Sequence, residues 1–278
     1  MGNKVFAGIV LYNPEAQLLV QELNSLQKMN LSVVLVDNAS KNKDDLYTIV
    51  SRFSSIVVEA IWNDTNMGIA KAHNQILECG RQHGANWIIT FDQDSIIPEN
   101  LLVEYSRYVG DNIGVISPVI NYLNSPNQDF VRFPAFFEKN WAIASASMIN
   151  VKVWDEIGGF DEQMFIDLVD RDFCIRVRNA GYKIIALGNV ILSHNLGSPI
   201  VKKVLFHKFH TTNHNEIRKY YKVRNYIYLV RKKEVALMDA SLHVLQIMLE
   251  TLFLEDNKLK KMKSIVSGIR DAFLMKIK

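Results

Sequence analysis

Cysteine is nearly absent. The 278 residues contain two, Cys79 and Cys174, and neither sits in a CxxC or zinc-ligand spacing. A disulfide framework and a cysteine-built zinc site are therefore excluded, and free buried thiols in a reducing compartment are expected. Residues 1–12 carry one lysine and a short apolar run ending at Leu11. No signal peptide or N-terminal anchor is expected from that pattern, which predicts the cytoplasm as location. A bilayer span is missing as well. Val235–Leu254 is apolar enough to invite one, but Asp239, His243, Gln246 and Glu250 recur at intervals of four, three and four. That spacing lays one polar stripe along a helix, whereas a span needs about 20 largely uncharged residues. With 49% hydrophobic and 22% charged residues the chain is not disordered.

Charge is unevenly distributed. Residues 1–199 hold 15 Lys+Arg against 22 Asp+Glu, a net −7, and residues 200–278 hold 17 against 7, a net +10. The shift divides the chain into a body, 1–199, and a basic amphipathic helical tail, 200–278. A basic tail implies an anionic partner: a membrane surface, a nucleic acid or an acidic substrate. Nucleic acid is set aside, because no recognised module is present and the basic residues interleave with an apolar face that needs burial.

The first half alternates strand and helix. Lys4–Leu11, Leu31–Val36, Ser55–Trp62 and Trp87–Asp92 read as strands, separated by helices of Pro14–Met29, Lys43–Phe53 and Ala70–His83. Strands spaced by such helices predict an α/β fold with a mostly parallel sheet and right-handed crossovers. Each strand ends in polar residues (Asn13, Asp37, Asn66 and the pair Asp92/Asp94), and strand C-termini face the crevice where open α/β sheets bind ligands. Past Leu101 the pattern loosens. Gly114–Ile120 and Ala142–Val151 read as strands around a polar loop at Asn121–Phe130, and Asp170–Ala180 as a helix. Tyr182–Leu187 and Val190–Leu192 are further strands, leading into Ser193–Gly197. In the tail, Leu259, Met262, Ile265/Val266, Ile269 and Phe273 form an apolar helix face opposite lysines.

The stretch Asp92-Gln93-Asp94 places two carboxylates one residue apart at a strand end, within reach of one divalent ion that would also bind substrate phosphates. It stands in a series: Val10-Leu11-Tyr12-Asn13-Pro14, Val36-Asp37-Asn38-Ala39-Ser40, Asn66-Met67-Gly68-Ile69-Ala70, Gly159-Phe160-Asp161-Glu162, Phe165-Ile166-Asp167-Leu168-Val169-Asp170-Arg171-Asp172 and His194-Asn195-Leu196-Gly197. In this order the series resembles the GT-A glycosyltransferases of family 2, from about Val5 to Gly197. Gln93 and Phe-Ile-Asp-x-Val-Asp resemble the rhamnosyltransferase branch. The resemblance continues more weakly into Tyr220–Asn225.

The resemblance implies a nucleotide-sugar half at 1–95 and an acceptor half at 96–199. The implied nucleotide contacts are Val10, Tyr12, Asn13, Asp37, Asn66, Gly68, Lys71, Asp92 and Gln93. Asp37 would accept the N3–H of uracil or thymine, or else close an Asx-turn with Ser40. Gly68 would let backbone approach the nucleotide. Asp92 and Asp94, with His194 as a third ligand, would hold Mg²⁺ or Mn²⁺. Asp170 takes the place of the family's general base. Val169 replaces that family's acidic neighbour, which leaves Asp167 as a rival. Asp172 reads better as a helix N-terminal carboxylate. Trp141, Ser145 and Ser147 are candidates for the acceptor cleft, although a tryptophan such as Trp141 is more often core than sugar platform. His207, His210 and His214 read as surface or phosphate-contacting residues and not as a zinc site.

The implied reaction is inverting, metal-dependent transfer of L-rhamnose from dTDP-L-rhamnose to a saccharide or lipid-linked saccharide. The alternatives are a UDP-hexose donor such as UDP-galactose, UDP-glucose or UDP-galactofuranose, and a nucleotide-binding scaffold without turnover. The tail would rest on anionic membrane, pack on the body or form a homodimer.

Overall fold

Short runs rich in Val, Ile and Leu open the chain, each returned across the sheet by a helix. β1 (Val5–Leu11), β2 (Ser32–Asp37), β3 (Val57–Trp62) and β4 (Trp87–Asp92) alternate with α1 (Ala16–Lys28), α2 (Lys43–Arg52) and α3 (Gly68–Gln82). They pair in parallel in the order β3-β2-β1-β4. Burial is nearly continuous along β1, β2 and β4, as expected of strands covered on both faces by crossover helices. The computed structural model describes residues 3–122, 133–194, 200–204, 207–211 and 213–277.

The second half extends the sheet. α4 (Leu101–Ser106), β5 (Ile113–Tyr122), β6 (Phe136–Glu138), β7 (Ser147–Asn150), α5 (Val151–Glu156), α6 (Val169–Asn179) and β8 (Lys183–His194) follow. The complete order is β3-β2-β1-β4-β7-β5-β8-β6. β7 inserts antiparallel between β4 and β5, β8 runs parallel to β5, and β6 closes the edge antiparallel to β8. The sheet is thus mixed but mostly parallel and flanked by helices, as the sequence pattern implied.

Several expectations change. Only Ser147–Asn150 of the expected strand 142–151 is extended, because Ala146 takes a left-handed φ of +53° and Asn150 caps α5 by accepting the amides of Lys152 and Val153. The two strands expected after residue 182 are one, β8, whose register against β5 jumps from Pro118↔Leu187 to Val119↔Ile191. Gly188 lies at that bulge, where a Cβ would meet the Pro134 carbonyl oxygen at 2.1 Å. Asn121 and Tyr122 belong to β5; the rest of that expected loop, and 195–197 of the His194 motif, lie outside the described residues.

The tail is not wholly helical. β9 (Ile200–Val204) and β10 (His207–Thr211) form an antiparallel hairpin before α7 (Glu216–Arg231), α8 (Leu237–Phe253) and α9 (Lys258–Ala272). Helix α7 packs on α9 so closely that a Cβ on Gly268 would lie 2.6 Å from the Tyr220 carbonyl oxygen. On its other side, the buried Asn225 amide donates to the carbonyls of Met164, Ile166 and Asp167 at 2.8–2.9 Å. Two buried ionic knots hold these elements together. Glu255 accepts from Lys219 (2.7 Å), Lys261 (3.0 Å) and Thr211 (2.5 Å). Asp172 pairs with Arg176 (2.7 Å) and Lys232.

Candidate active site

Register fixes the layout of the crevice. Leu11 pairs with Asp37 and Val10 with Asp92, so the two carboxylates flank β1 at two strand spacings, about 10 Å apart. The chain order reverses between β1 and β4, the switch point at which open α/β sheets receive ligands. On the β2 side Asp37 is buried (1% exposed), and both its oxygens accept the Ser40 amide, at 3.0 and 3.3 Å. The Asx-turn is therefore formed, with lone pairs to spare on a carboxylate that can take about four hydrogen bonds. Asn13, at φ +50°, donates its amide to Ser40 Oγ (2.7 Å) and accepts the Lys41 amide (2.9 Å), joining the β1 and β2 loops. Asn38, absent from the expected set, is the hub of this rim. Its side chain donates to the Gly68 carbonyl and accepts from Asn63 and from the Met67 amide. Asn66 accepts the Gly68 amide at 2.9 Å.

On the β4 side a cavity of about 820 Å³ is lined by Asp92, Ser145, Asp170, Asp167 and Trp141. Ser145 Oγ donates to the Asp92 carboxylate; Asp94, two residues on, is exposed. Asp170 stands in the first turn of α6. Burial pushes its carboxyl up to about 7; an amide hydrogen bond from Ala144 opposes the shift, and the charges of Asp92 and Asp167 add to it. Asp167 is in a different state. Held at φ +65°, it is gripped at both oxygens by Arg218, at 2.5 and 3.1 Å. The tail thus reaches the cavity: Arg218 and Tyr226 on α7 and His243 on α8 line it, His243 stacked on Tyr226 at 5.0 Å.

Other expected residues make contacts of their own. Lys71 pairs with Glu162 (3.1 Å) and lines a separate cavity of about 340 Å³, on the face of α3 away from Asp92. Gly68 (φ +82°) is required by Phe165, whose ring a Cβ would meet at 2.6 Å. Gln93 clasps the backbone of Tyr12, accepting its amide at 2.7 Å and donating to its carbonyl at 3.3 Å. Ser147 is buried with its hydroxyl on the Ile143 carbonyl. Trp141 is not core but 50% exposed on the cavity, the cleft position of its two readings. His214 is half-buried, its imidazole lowered to about 4 by burial and then by Arg218, and so is not a surface histidine. The side chains of His194, His207 and His210 lie outside the described residues.

Among the described residues no three His, Cys, Asp or Glu side chains gather as a metal site. The donor chemistry nevertheless fits a hard cation. Mg²⁺ keeps waters and takes one or two carboxylates plus substrate phosphate oxygens, which is what Asp92 and Asp94 offer.

Residues 7–163, more than half the chain, match the family model Glycosyl transferase family 2. The chain belongs to this family. This glycosyltransferase is 28% identical over 291 aligned residues to the dTDP-rhamnosyl transferase RfbF of Shigella flexneri, covering 98% of this chain and 96% of that one. Among solved structures it resembles the mannosyltransferase PcManGT from Pyrobaculum calidifontis, in complex with GDP-Man and Mn²⁺, with TM-score 0.60 and 16% identity over 99% of this chain and 76% of that one. GalNAc-T7, with UDP, GalNAc and Mn²⁺, gives TM-score 0.61 and 13% identity over 98% and 56%. At such identities the structural likeness establishes the GT-A fold.

Proposed function

We propose that this glycosyltransferase moves L-rhamnose from dTDP-L-rhamnose to a saccharide or lipid-linked saccharide acceptor, inverting the anomeric carbon. The observation that carries the donor is the 28% identity to a dTDP-rhamnosyl transferase along nearly the whole of both chains. In this reading residues 1–95 hold the nucleotide-sugar and 96–199 face the acceptor. The tail, 200–278, completes the acceptor side through Arg218, Tyr226 and His243. Asp37 accepts the base N3–H, and the separation from Asp37 to Asp92 across β1 matches a nucleoside lying over the strand ends with its diphosphate at Asp92.

Asp170 is the general base. The acceptor oxygen attacks the anomeric carbon while its proton passes to the Asp170 carboxylate. The bond from that carbon to the diphosphate oxygen breaks, and the nucleoside diphosphate departs. A carboxyl near pH 7 suits proton abstraction at neutral pH, whereas Asp167 is committed to Arg218. Asp92 and Asp94 would hold Mg²⁺ or Mn²⁺, with His194 as the remaining protein ligand; such an ion neutralises the charge that builds on the leaving diphosphate.

Acceptor-free hydrolysis of dTDP-L-rhamnose, UDP-galactose and UDP-glucose, with Mg²⁺, Mn²⁺ or EDTA, tests this. Metal-dependent release of dTDP that disappears in Asp92→Ala is expected. Release of UDP in its place would discard the rhamnose donor and keep the mechanism, because uracil and thymine present the same N3–H.

A second reading concerns the tail. No helix among the described residues is long and apolar enough to cross a membrane. Yet α8 buries only Ala240, Ile247 and Thr251 and leaves Leu242, Leu245, Leu249, Leu252 and Phe253 exposed. Leu259 and Val266 of α9 are exposed as well, with Lys258, Lys260 and Lys263 beside them. An apolar surface edged by lysines suits peripheral contact with an anionic inner membrane face. Flotation with anionic vesicles is expected. Recovery wholly in the supernatant at low salt would remove the reading, and a concentration-dependent dimer would assign the face to a second copy.

A further inference from the structure

The wall of the Asp92–Asp170 cavity contains a histidine with no assigned role. His73 lies on α3, about 200° around the helix from Lys71, and lines the cavity together with Asp92, Ser145 and Asp170. It is 1% exposed, and neither ring nitrogen has a hydrogen-bond partner. Its ring packs against Phe160 at 5.2 Å, and Phe160 stacks in turn on Phe173 at 4.2 Å. The next residue shows how thoroughly this region otherwise satisfies polar groups. Asn74 donates to the Phe160 carbonyl and Glu162, and accepts from the Phe160 amide and the Trp154 indole, all within 3.0 Å.

Buried polar atoms are ordinarily paired, and an unpaired one calls for a specific explanation such as a catalytic role or a ligand yet to bind. Burial lowers His73 to about 4, so the ring is neutral at pH 7, with one N–H donor and one bare nitrogen acceptor. A diphosphate oxygen only accepts and a metal ion only receives lone pairs. A hydroxyl both donates and accepts, and so can use either nitrogen. In the nucleotide-sugar reading, the sugar joined to the diphosphate at Asp92 would bring its hydroxyls into this cavity.

We propose that His73 binds a hydroxyl of the transferred hexose and orients that sugar between Asp92 and Asp170. The inference rests on the nucleotide-sugar reading of the cavity. It makes His73 a donor-sugar contact, separate from the residues that hold base and diphosphate. Because the aromatic bed of Phe160 and Phe173 fixes the ring plane, the contact selects among hexoses by where their hydroxyls point.

The test compares wild type, His73→Phe and His73→Gln by calorimetric binding of dTDP and of dTDP-L-rhamnose with Mg²⁺, and by acceptor-free hydrolysis. Phe keeps the ring and loses both nitrogens; Gln keeps a donor and an acceptor. His73→Phe is expected to bind dTDP within about twofold of wild type and dTDP-L-rhamnose about tenfold or more weaker, with hydrolysis falling in parallel. His73→Gln is expected to recover part of that loss. Equal weakening of both ligands, or full activity in a folded His73→Phe, would overturn the proposal. If His73→Phe fails to fold, His73→Gln decides. A folded Gln variant with the sugar-specific loss unrepaired, or with dTDP binding lost as well, would reduce the histidine to a packing residue. Wild type that binds neither ligand would overturn the nucleotide-sugar reading itself, which is a different result from a wild type that binds both.

Discussion

Removing the Asp170 carboxylate gives the sharpest test of the mechanism. Asp170→Asn is nearly isosteric, keeps an oxygen for the Ala144 amide and takes away the proton acceptor. General-base groups contribute about 10²–10⁴-fold, so hydrolysis or transfer should fall by that factor while dTDP binding is retained. The wild-type pH profile supplies an independent measure. The base works ionised, and with the carboxyl near 7 about half is ionised at pH 7, about a tenth at pH 6 and about a hundredth at pH 5. The rate should therefore fall roughly tenfold per unit below pH 7, whereas an ordinary carboxylate near 4 would leave it flat to about pH 5. Burial leads the shift and Asp92 is a lesser cause. A divalent cation there adds its own positive charge and moves the limb to lower pH, so the profile is compared with that of Asp170→Asn, which should lack the limb. Asp167→Asn should keep an acid limb but move it to lower pH, since it removes one of the charges that raise Asp170 and leaves that carboxylate in place. A profile flat to pH 5, or an Asp170→Asn enzyme of wild-type rate, would refute the assignment.

Three further outcomes are expected. Glu255→Ala strands the buried ammonium groups of Lys219 and Lys261 and should cost about 3–5 kcal/mol in thermal or urea unfolding; a change below about 1 kcal/mol would show that the knot is dispensable. Glu22 on α1 is buried with both oxygens unpaired, its carboxyl raised well above the usual range by burial and then by Asp92 and Asp94. A raised acid stabilises fully below its unfolded value and loses that contribution as pH rises through the folded one, so Glu22→Leu should stabilise by about 1–3 kcal/mol at neutral pH and less near pH 5, read from urea midpoints at both. Gly68→Ala must accept φ +82° and a Cβ 2.6 Å from the Phe165 ring; a loss of about 1–3 kcal/mol is expected, and an unchanged melting temperature would disprove the strain.

The first half of the chain was legible because its signals are local. β-branched runs mark β1 to β4, and a strand end in a parallel sheet has one side of the sheet to face. Asp37, Asn13, Asp92 and Asp94 could be located on those grounds. β7 was harder to read, since the turn at Ala146 and the Asn150 cap decide where a run of small residues stops being extended. Gly68 was recognised as a close approach, but the neighbour at its Cβ position, Phe165, lies 97 positions on and only packing brings it near. Arg218 and Asp167 are 51 residues apart, across the composition boundary. Charge counting separates them and folding joins them. His73 shared its helical spacing with Ala70 and Leu77, which announced burial; that its buried side was the cavity side needed the sheet beneath it.

The Asn225 amide, seated on the carbonyls of Met164, Ile166 and Asp167, has a practical meaning for anyone trimming this protein. Those carbonyls belong to the turn that launches α6 and so aims Asp170. A chain ended at residue 199, where the charge changes sign, loses both that amide and the Arg218 grip on Asp167. The shortened protein should keep strands β1 to β4 and the rim of Asn13, Asp37 and Asn38, yet lose turnover. Fragment design should keep α7 with the body that it supports.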